Sequence, residues 1–159
     1  MPQYLQNWSE LNTDERLQTL LRIDSSLPSE EIEQLLSTAQ DTQNDDILRI
    51  EIWKVLGLYS DEQYKSTIRK AIHAHWQHEQ DEEYVQIAML EALSALGADQ
   101  QDIQLASSIS QQDEYILVRS AAFALLRHHR HIPHAKQALE QLQNDPDFGQ
   151  SATQALQEQ

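Results

Sequence analysis

The sequence predicts an all-α fold made of about four and a half stacked helical hairpins. An apolar helix face recurs at a near-constant spacing, and no stretch shows the sustained alternation of β-branched residues that indicates a strand. The 159 residues include only three glycines and four prolines, which suits long helices joined by short turns. This length is enough for one domain with its own core, which we expect to span residues 1–159.

The recurring face is clearest at Val118, from which steps of three, four, seven and eight residues reach only alanine and leucine. Residues at these steps lie on one side of an α-helix. Similar faces begin at Leu17, Leu48, Val85 and Phe148, so the successive spacings are 31, 37, 33 and 30 residues. Such a period is typical of helical hairpins that bury their apolar faces against their neighbours.

Capping signals and turns set the expected helix boundaries. Asn12 with Glu15, and Ser60 with Gln63, match the capping box, and Gly97 should form a turn after a helix. The repeats are expected at 1–43, 44–80, 81–112, 113–144 and 145–159. Their helices are expected at 2–11, 13–24, 28–39, 45–58, 61–77, 81–96, 100–109, 113–130 and 133–142, followed by a half hairpin.

The fourth repeat carries a resemblance to a known family. The run from Asp113 through Val118-Arg119 to Ala124-Leu125 resembles the HEAT-like repeat, in the short form also found in bilin lyases. Asn144 to Phe148 looks like the start of another such repeat, and Leu96-Gly97 resembles a repeat ending. The resemblance implies a right-handed α–α superhelix whose second helices line the inner surface, and it implies a fold rather than an activity.

An arginine directly follows the first residue of the apolar face in two of the repeats, at Arg49 and Arg119. Gln86 and Gly149 stand at the equivalent positions of the third repeat and the final half hairpin. Pairing between repeats through this arginine is therefore in question at those two places.

The charge balance bears on the class of partner. Acidic residues number 26 against 11 lysines and arginines, which gives a formal net charge of −15. A field of this sign repels phosphate groups, so nucleic acid is not expected as a partner, whereas a basic protein is attracted and steered. A high negative charge also keeps a protein in solution, and that explanation requires no partner.

The chain contains no cysteine, which excludes disulfides and fits a reducing compartment. The sequence shows no signal peptide and no membrane-spanning stretch. We therefore expect a cytoplasmic protein that has no membrane partner and no cofactor, and that is a monomer before it binds its protein partner.

Acidic residues cluster where the first helix of each hairpin begins. Because first helices in stacked hairpins run roughly parallel, these residues should form one acidic edge able to contact a basic protein. The same residues stabilise helix N-termini by roughly 0.3–1 kcal/mol each, and both explanations can hold. The residues predicted to bind a partner at this edge are Asp45, Asp46, Asp81, Glu82, Glu83, Asp113 and Glu114.

A second candidate surface is the polar face of the second helices. It includes a small basic cluster of Arg69, Lys70 and His73, which suits contact with a protein, although a solvated face explains it equally well. Tyr59, Tyr84 and Tyr115 lie near expected helix ends and are further possible contact residues.

The histidines and the remaining motifs give no sign of catalysis. His75 with His78, and His131 with His134, have a spacing that can bring two imidazoles near one metal ion. No further residue completes a recognisable metal signature, so we expect solvated or paired histidines and no metal. The sequence also lacks a nucleophile elbow and a glycine-rich phosphate loop. It predicts no enzyme.

The preferred functional hypothesis is a non-enzymatic protein-binding module, and in its sharper form an immunity or antitoxin-like protein that neutralises a basic toxin by direct binding. Small HEAT-like proteins serve such roles, so this form comes from the resemblance alone. One alternative is a HEAT-like scaffold or assembly chaperone. Another is a bilin-lyase-like protein that handles a chromophore together with a partner. A HEAT-like alkylpurine DNA glycosylase conflicts with the negative charge.

Overall fold

The computed structural model describes residues 3–80, 82–112 and 115–158, and in these ranges the chain forms nine α-helices and no strand. The all-α prediction is confirmed for them. Two compact parts can be separated, residues 1–96 and residues 97–159, which we call the N-terminal and C-terminal parts. The helices are α1 (Thr13–Leu21), α2 (Ser29–Gln40), α3 (Asp46–Leu58), α4 (Glu62–His75), α5 (Glu83–Ala95), α6 (Gln100–Gln112), α7 (Ile116–His128), α8 (Pro133–Leu142) and α9 (Gly149–Gln157).

Several helix ends follow the local chemistry of the sequence. The capping box at Asn12 is formed, because the Asn12 side chain accepts from the Glu15 N–H at 2.8 Å and the Glu15 carboxylate accepts from the Asn12 N–H at 3.1 Å. Gly97 adopts a φ of 87° just after α5, a left-handed backbone that favours glycine. These two predicted signals are confirmed.

The core of the N-terminal part lies between α3 and its neighbours. Helix α3 packs against α1, α2 and α5, and it approaches α5 closely at Gly57, where an added Cβ would lie 3.1 Å from the Ala92 Cα. The predicted faces of both helices point into this core. Their fully buried residues include Leu48, Ile52, Leu56, Val85, Met89 and Leu93.

The start of the described chain is not the helix expected over 2–11. Only a 3₁₀ turn at Trp8–Glu10 is helical there. The residues before it lie against α2: the Glu31 carboxylate accepts from the Tyr4 N–H at 3.2 Å and from the Leu5 N–H at 2.5 Å, while Trp8 Nε1 donates to Thr38 Oγ1 at 2.9 Å. Because α2 satisfies these donors, the segment does not need helical hydrogen bonds of its own.

Three further expectations in this part are wrong. Helix α1 ends at Leu21 instead of residue 24, and Leu21, which lies four residues after Leu17 on the expected apolar face, is 81% exposed. The Ser60 capping box is not formed, since Asp61 is the N-cap residue of α4 and makes no side-chain cap. Helix α4 ends at His75 instead of residue 77 and gives way to a 3₁₀ turn at Trp76–Glu79.

The C-terminal part is built around α7 and α8. Helix α6 packs on both of them, and α8 also packs on α9. The apolar face of α7 is buried at Val118, Ala122, Leu125 and Leu126, as predicted. Helix α6 continues to Gln112, three residues beyond its expected end, and within it Ser110 Oγ donates to the Ser107 carbonyl at 2.8 Å. Helix α7 ends at His128 instead of residue 130.

Candidate functional site

The structure brings the acidic residues of two helix starts together. Helices α3 and α5 pack on each other, and the Arg49 guanidinium lies close enough to both Asp46 and Glu82 that each raises its pKa, although burial lowers this pKa overall. Gly57, near the end of α3, meets Ala92, near the end of α5, so the two packed helices run in the same direction and begin on the same side of the pair. Asp81, Asp113 and Glu114, which were predicted for the same edge, lie outside the described residues.

Part of this acidic cluster has a structural role. Asp45 Oδ1 accepts from the Ile47 N–H at 2.9 Å and so caps α3, while Asp46 Oδ1 lies 3.6 Å from Arg49 Nη1. Glu82 is exposed and Glu83, the first residue of α5, is half-buried. The helix-capping explanation thus holds for Asp45, and the carboxylates of Asp46 and Glu82 remain accessible at the surface.

Exposed apolar side chains stand among these acids. Ile47 and Tyr84 are each 62% exposed, and each directly precedes the first residue of a buried face, Leu48 or Val85. Tyr84 was predicted as a possible contact residue, but Ile47 was missed. Its signal was available, because an apolar residue at this same position recurs in the sequence. We call the group Asp45, Asp46, Ile47, Glu82, Glu83 and Tyr84 the α3–α5 surface.

The predicted basic cluster on α4 is not a free surface throughout. Arg69 Nη2 donates to the Leu96 carbonyl at 2.6 Å, so this arginine holds the chain just after α5. His73 is half-buried and Lys70 is exposed. Of the three residues, Lys70 is therefore the most accessible to a partner.

A buried ion pair lies beneath the α3–α5 surface. Arg49 is 1% exposed and pairs through Nη2 with Glu79, which is fully buried. Arg49 Nε also donates to the Ala39 carbonyl at 2.8 Å, and His75 Nε2 lies 2.7 Å from Glu79 Oε1. The other carboxylate oxygen of Glu79 has no hydrogen-bond partner among the described residues. Burial lowers the pKa of His75, with Arg49 and His78 adding to this effect.

Arg119 makes the equivalent contacts in the C-terminal part. Its Nε donates to the Ser110 carbonyl at 2.8 Å, Nη2 donates to Asp145 at 2.6 Å, and Nη1 donates to Asp147 at 3.0 Å. Desolvation opposes ionisation of Asp145, but the backbone N–H groups of Asp147 and Phe148 and the Arg119 side chain together lower its pKa. The guanidinium also lies over the Phe148 ring, 4.8 Å from its centroid.

Gln86 and Gly149 also directly follow the first residue of an apolar face, but neither can make the contacts of Arg49 and Arg119. The side-chain oxygen of Gln86 is buried and has no hydrogen-bond partner within the described ranges. At Gly149 a Cβ would lie 2.5 Å from the Gln143 carbonyl oxygen, so the backbone leaves no room for a side chain.

The histidines form pairs of rings. The His75 and His78 rings lie 5.3 Å apart, and those of His128 and His129 lie 4.9 Å apart. His129 is 6% exposed with Nδ1 2.9 Å from the Leu125 carbonyl, and burial lowers its pKa. Within 3–80, 82–112 and 115–158, no group of three or more side chains could hold a metal ion.

Comparison with known proteins finds no relative: no family model, no curated protein and no solved structure matches the chain. In the part of the chain that the structure describes, no helix is long and apolar enough to cross a membrane.

Proposed function

We propose that the protein is a non-enzymatic protein-binding module that captures a basic protein by direct contact through the α3–α5 surface. In its most specific form, it is an immunity or antitoxin-like protein that neutralises a basic toxin in the cytoplasm. The observation that carries the proposal is the pairing of two exposed apolar side chains, Ile47 and Tyr84, with the acids at the same two helix starts.

The two kinds of side chain serve different parts of binding. Covering Ile47 and Tyr84 removes apolar surface from water, which is favourable by roughly 25 cal/mol per Å², and tyrosine is enriched at protein interfaces. Asp46 and Glu82 attract a positively charged partner and raise its association rate. The partner should therefore present an apolar contact area bordered by lysine or arginine.

A HEAT-like right-handed superhelix is the fold that we propose for this module. Its support is the repeated arginine contact: Arg49 and Arg119 follow the same face position, and each binds a carbonyl near the end of the preceding helix and a carboxylate 26 to 30 residues further along. A contact that recurs at one position is expected when successive hairpins stack in the same way.

Affinity purification from extracts of the native cell, followed by mass spectrometry, tests the proposed surface. We expect a predominant basic protein whose recovery falls as the salt concentration rises. An Ile47→Ser/Tyr84→Ser variant should lose this protein. The control Leu21→Ser, which changes another exposed apolar residue, should retain it. Equal recovery with both variants contradicts the proposal.

Expression of the recovered protein alone separates the immunity role from the alternatives. A toxin should arrest growth, and co-expression with the parent chain, but not with Ile47→Ser/Tyr84→Ser, should restore it. A recovered protein that leaves growth unchanged favours the scaffold or assembly-chaperone role. Visible absorbance of the purified complex would instead favour a chromophore-handling role.

A further inference from the structure

The C-terminal part contains a long stretch without acidic residues, in a chain that has 26 of them. Between Tyr115 and Leu139 there is no aspartate or glutamate, and the stretch carries four lysines and arginines and four histidines. Most of them surround the turn between α7 and α8: Arg127, His128, His129, Arg130, His131, His134 and Lys136. This turn is a basic region in an otherwise acidic protein.

Helix stability explains only part of this cluster. Arg127 and His128 lie in the last turn of α7, where positive charge interacts favourably with the helix dipole. His134 and Lys136 lie among the first four residues of α8, whose first turn has no acidic residue. Positive charge at that end opposes the dipole, so the helix dipole explains Arg127 and His128 but not His134 and Lys136.

A cavity of about 530 Å³ opens between this turn and α9. Ala155 is fully buried and Leu156 is half-buried, so the cavity combines an apolar contact at Leu156 with a positively charged rim. The residues that line it are Arg130, His131, Lys136, Ala155, Leu156 and Glu158.

A carboxylate of the chain itself already lies at this rim. Arg127 Nε donates to Glu158 Oε1 at 2.8 Å, and Arg130 acts electrostatically on the same carboxylate. Arg127 and Glu158 are both exposed, and exposed ion pairs contribute little free energy. A second carboxylate whose attached group also contacts Leu156 can therefore compete with Glu158 for these cations.

We infer that this cavity binds a carboxylate attached to a short aliphatic group. The carboxylate lies among Arg130, His131 and Lys136, and the aliphatic group packs on Leu156. A carboxylate matches the charge of the rim and the anion that Glu158 already presents there. The aliphatic group is short because Leu156 supplies the accessible apolar contact of this cavity, whereas Ala155 is fully buried.

Titration of the full chain with hexanoate, followed by ¹⁵N–¹H NMR, tests the inference. We expect saturable shifts confined to amides near residues 130–136 and 155–158, with a Kd on the order of millimolar, as suits a ligand of this size. 1-Hexanol lacks the charge and acetate lacks the aliphatic chain, so each should bind more weakly. The peptide acetyl-Leu-Glu-Leu-amide tests whether the bound carboxylate belongs to a protein segment or to a free small acid. Tighter binding of the peptide than of hexanoate assigns the cavity to an acidic protein segment, and weaker binding assigns it to a free acid.

Two substitutions should change the affinity in opposite directions. Lys136→Gln removes a rim cation at an exposed position and should weaken hexanoate binding about threefold to fivefold. Lys54→Gln removes an exposed lysine of α3 and should leave binding unchanged. Glu158→Gln removes the competing carboxylate and should tighten binding, an effect that a purely structural role for Glu158 does not produce.

Three results would overturn the inference. The first is equal affinity for hexanoate and 1-hexanol, because the charge then plays no part. The second is a set of shifts spread over the whole chain. The third is an unchanged Kd in both Lys136→Gln and Glu158→Gln.

Discussion

Arg49 in the N-terminal part and Arg119 in the C-terminal part follow the same position of the apolar face, yet their carboxylate partners differ in burial. The Arg49 side chain is 1% exposed and its partner Glu79 is 0% exposed. The Arg119 side chain is 12% exposed and its partner Asp145 is 17% exposed. The repeated sequence position therefore determines that an arginine pairs with a carboxylate. The burial of that pair determines how much the free energy of unfolding falls when one partner is removed.

Removal of Glu79 should have the largest effect on stability. Glu79→Ala leaves the buried Arg49 guanidinium with the more distant and exposed carboxylate of Asp46, 3.6 Å from Nη1, and breaking a buried ion pair from one side costs about 3–5 kcal/mol. The tryptophans Trp8, Trp53 and Trp76 all lie in the N-terminal part. Urea unfolding followed by tryptophan fluorescence therefore measures the loss in the relevant part.

The matched control replaces both partners. Arg49→Met/Glu79→Met leaves no uncompensated buried charge and should lose less stability than Glu79→Ala alone. A loss below about 1 kcal/mol for Glu79→Ala would show that Glu79 does not hold a buried charge.

The corresponding change at Arg119 should cost less. Arg119→Ala removes the hydrogen bonds to Ser110 and Asp145, but Asp145 keeps its backbone donors and some solvent, so we expect a loss of about 1–2 kcal/mol. Circular dichroism at 222 nm during urea unfolding measures it. Asp147→Asn, at a partner with a 56% exposed side chain, should lose less than about 0.5 kcal/mol. If Arg119→Ala lowered the free energy of unfolding as much as Glu79→Ala does, burial of the ion pair would not determine how much stability its loss removes.

The C-terminal part should also lose stability in mild acid through His129. Burial lowers its folded-state pKa, so the unfolded chain takes up the proton first, and stability present above pH about 6.5 is lost as the pH falls below it. His129→Gln should make the melting temperature less dependent on pH between 7.5 and 5.5. His128→Gln, at the exposed neighbour, is the control, and an equal effect of both would contradict the burial argument.

The sequence predicted those features that depend on residues a few positions apart. Asn12 and Glu15 cap α1, Gly97 turns the chain, and Val118 begins a buried face, because each depends on helix geometry alone. Ser60 shows the limit of this approach, since Asp61 is the N-cap residue in its place. Two acceptable cap residues stand side by side here, and the sequence alone does not distinguish between them.

Longer-range features were not predictable. Glu79 lies 30 residues from Arg49, and nothing nearby distinguishes it from the other acids of a highly acidic chain. The 3₁₀ turn at Trp76–Glu79, in a stretch expected to be partly α-helical, carries it to α3. Ile47 was not predicted, although it directly precedes the buried face of α3 just as Tyr84 precedes that of α5.

The change closest to function is expected at the acids of the α3–α5 surface. Glu82→Gln/Glu83→Gln removes two acids from the start of α5 and should lower the free energy of unfolding by about 1 kcal/mol or less. It should slow association with the captured partner at low salt, and the difference should vanish at high salt, because charge steers the encounter.

Ile47→Ser/Tyr84→Ser should instead speed dissociation of the captured partner, since packed contacts act mainly after encounter. Glu30→Gln/Glu33→Gln removes the same charge as Glu82→Gln/Glu83→Gln, but from exposed positions of α2. If that control slows association equally, total charge alone steers the partner and the contact lies elsewhere.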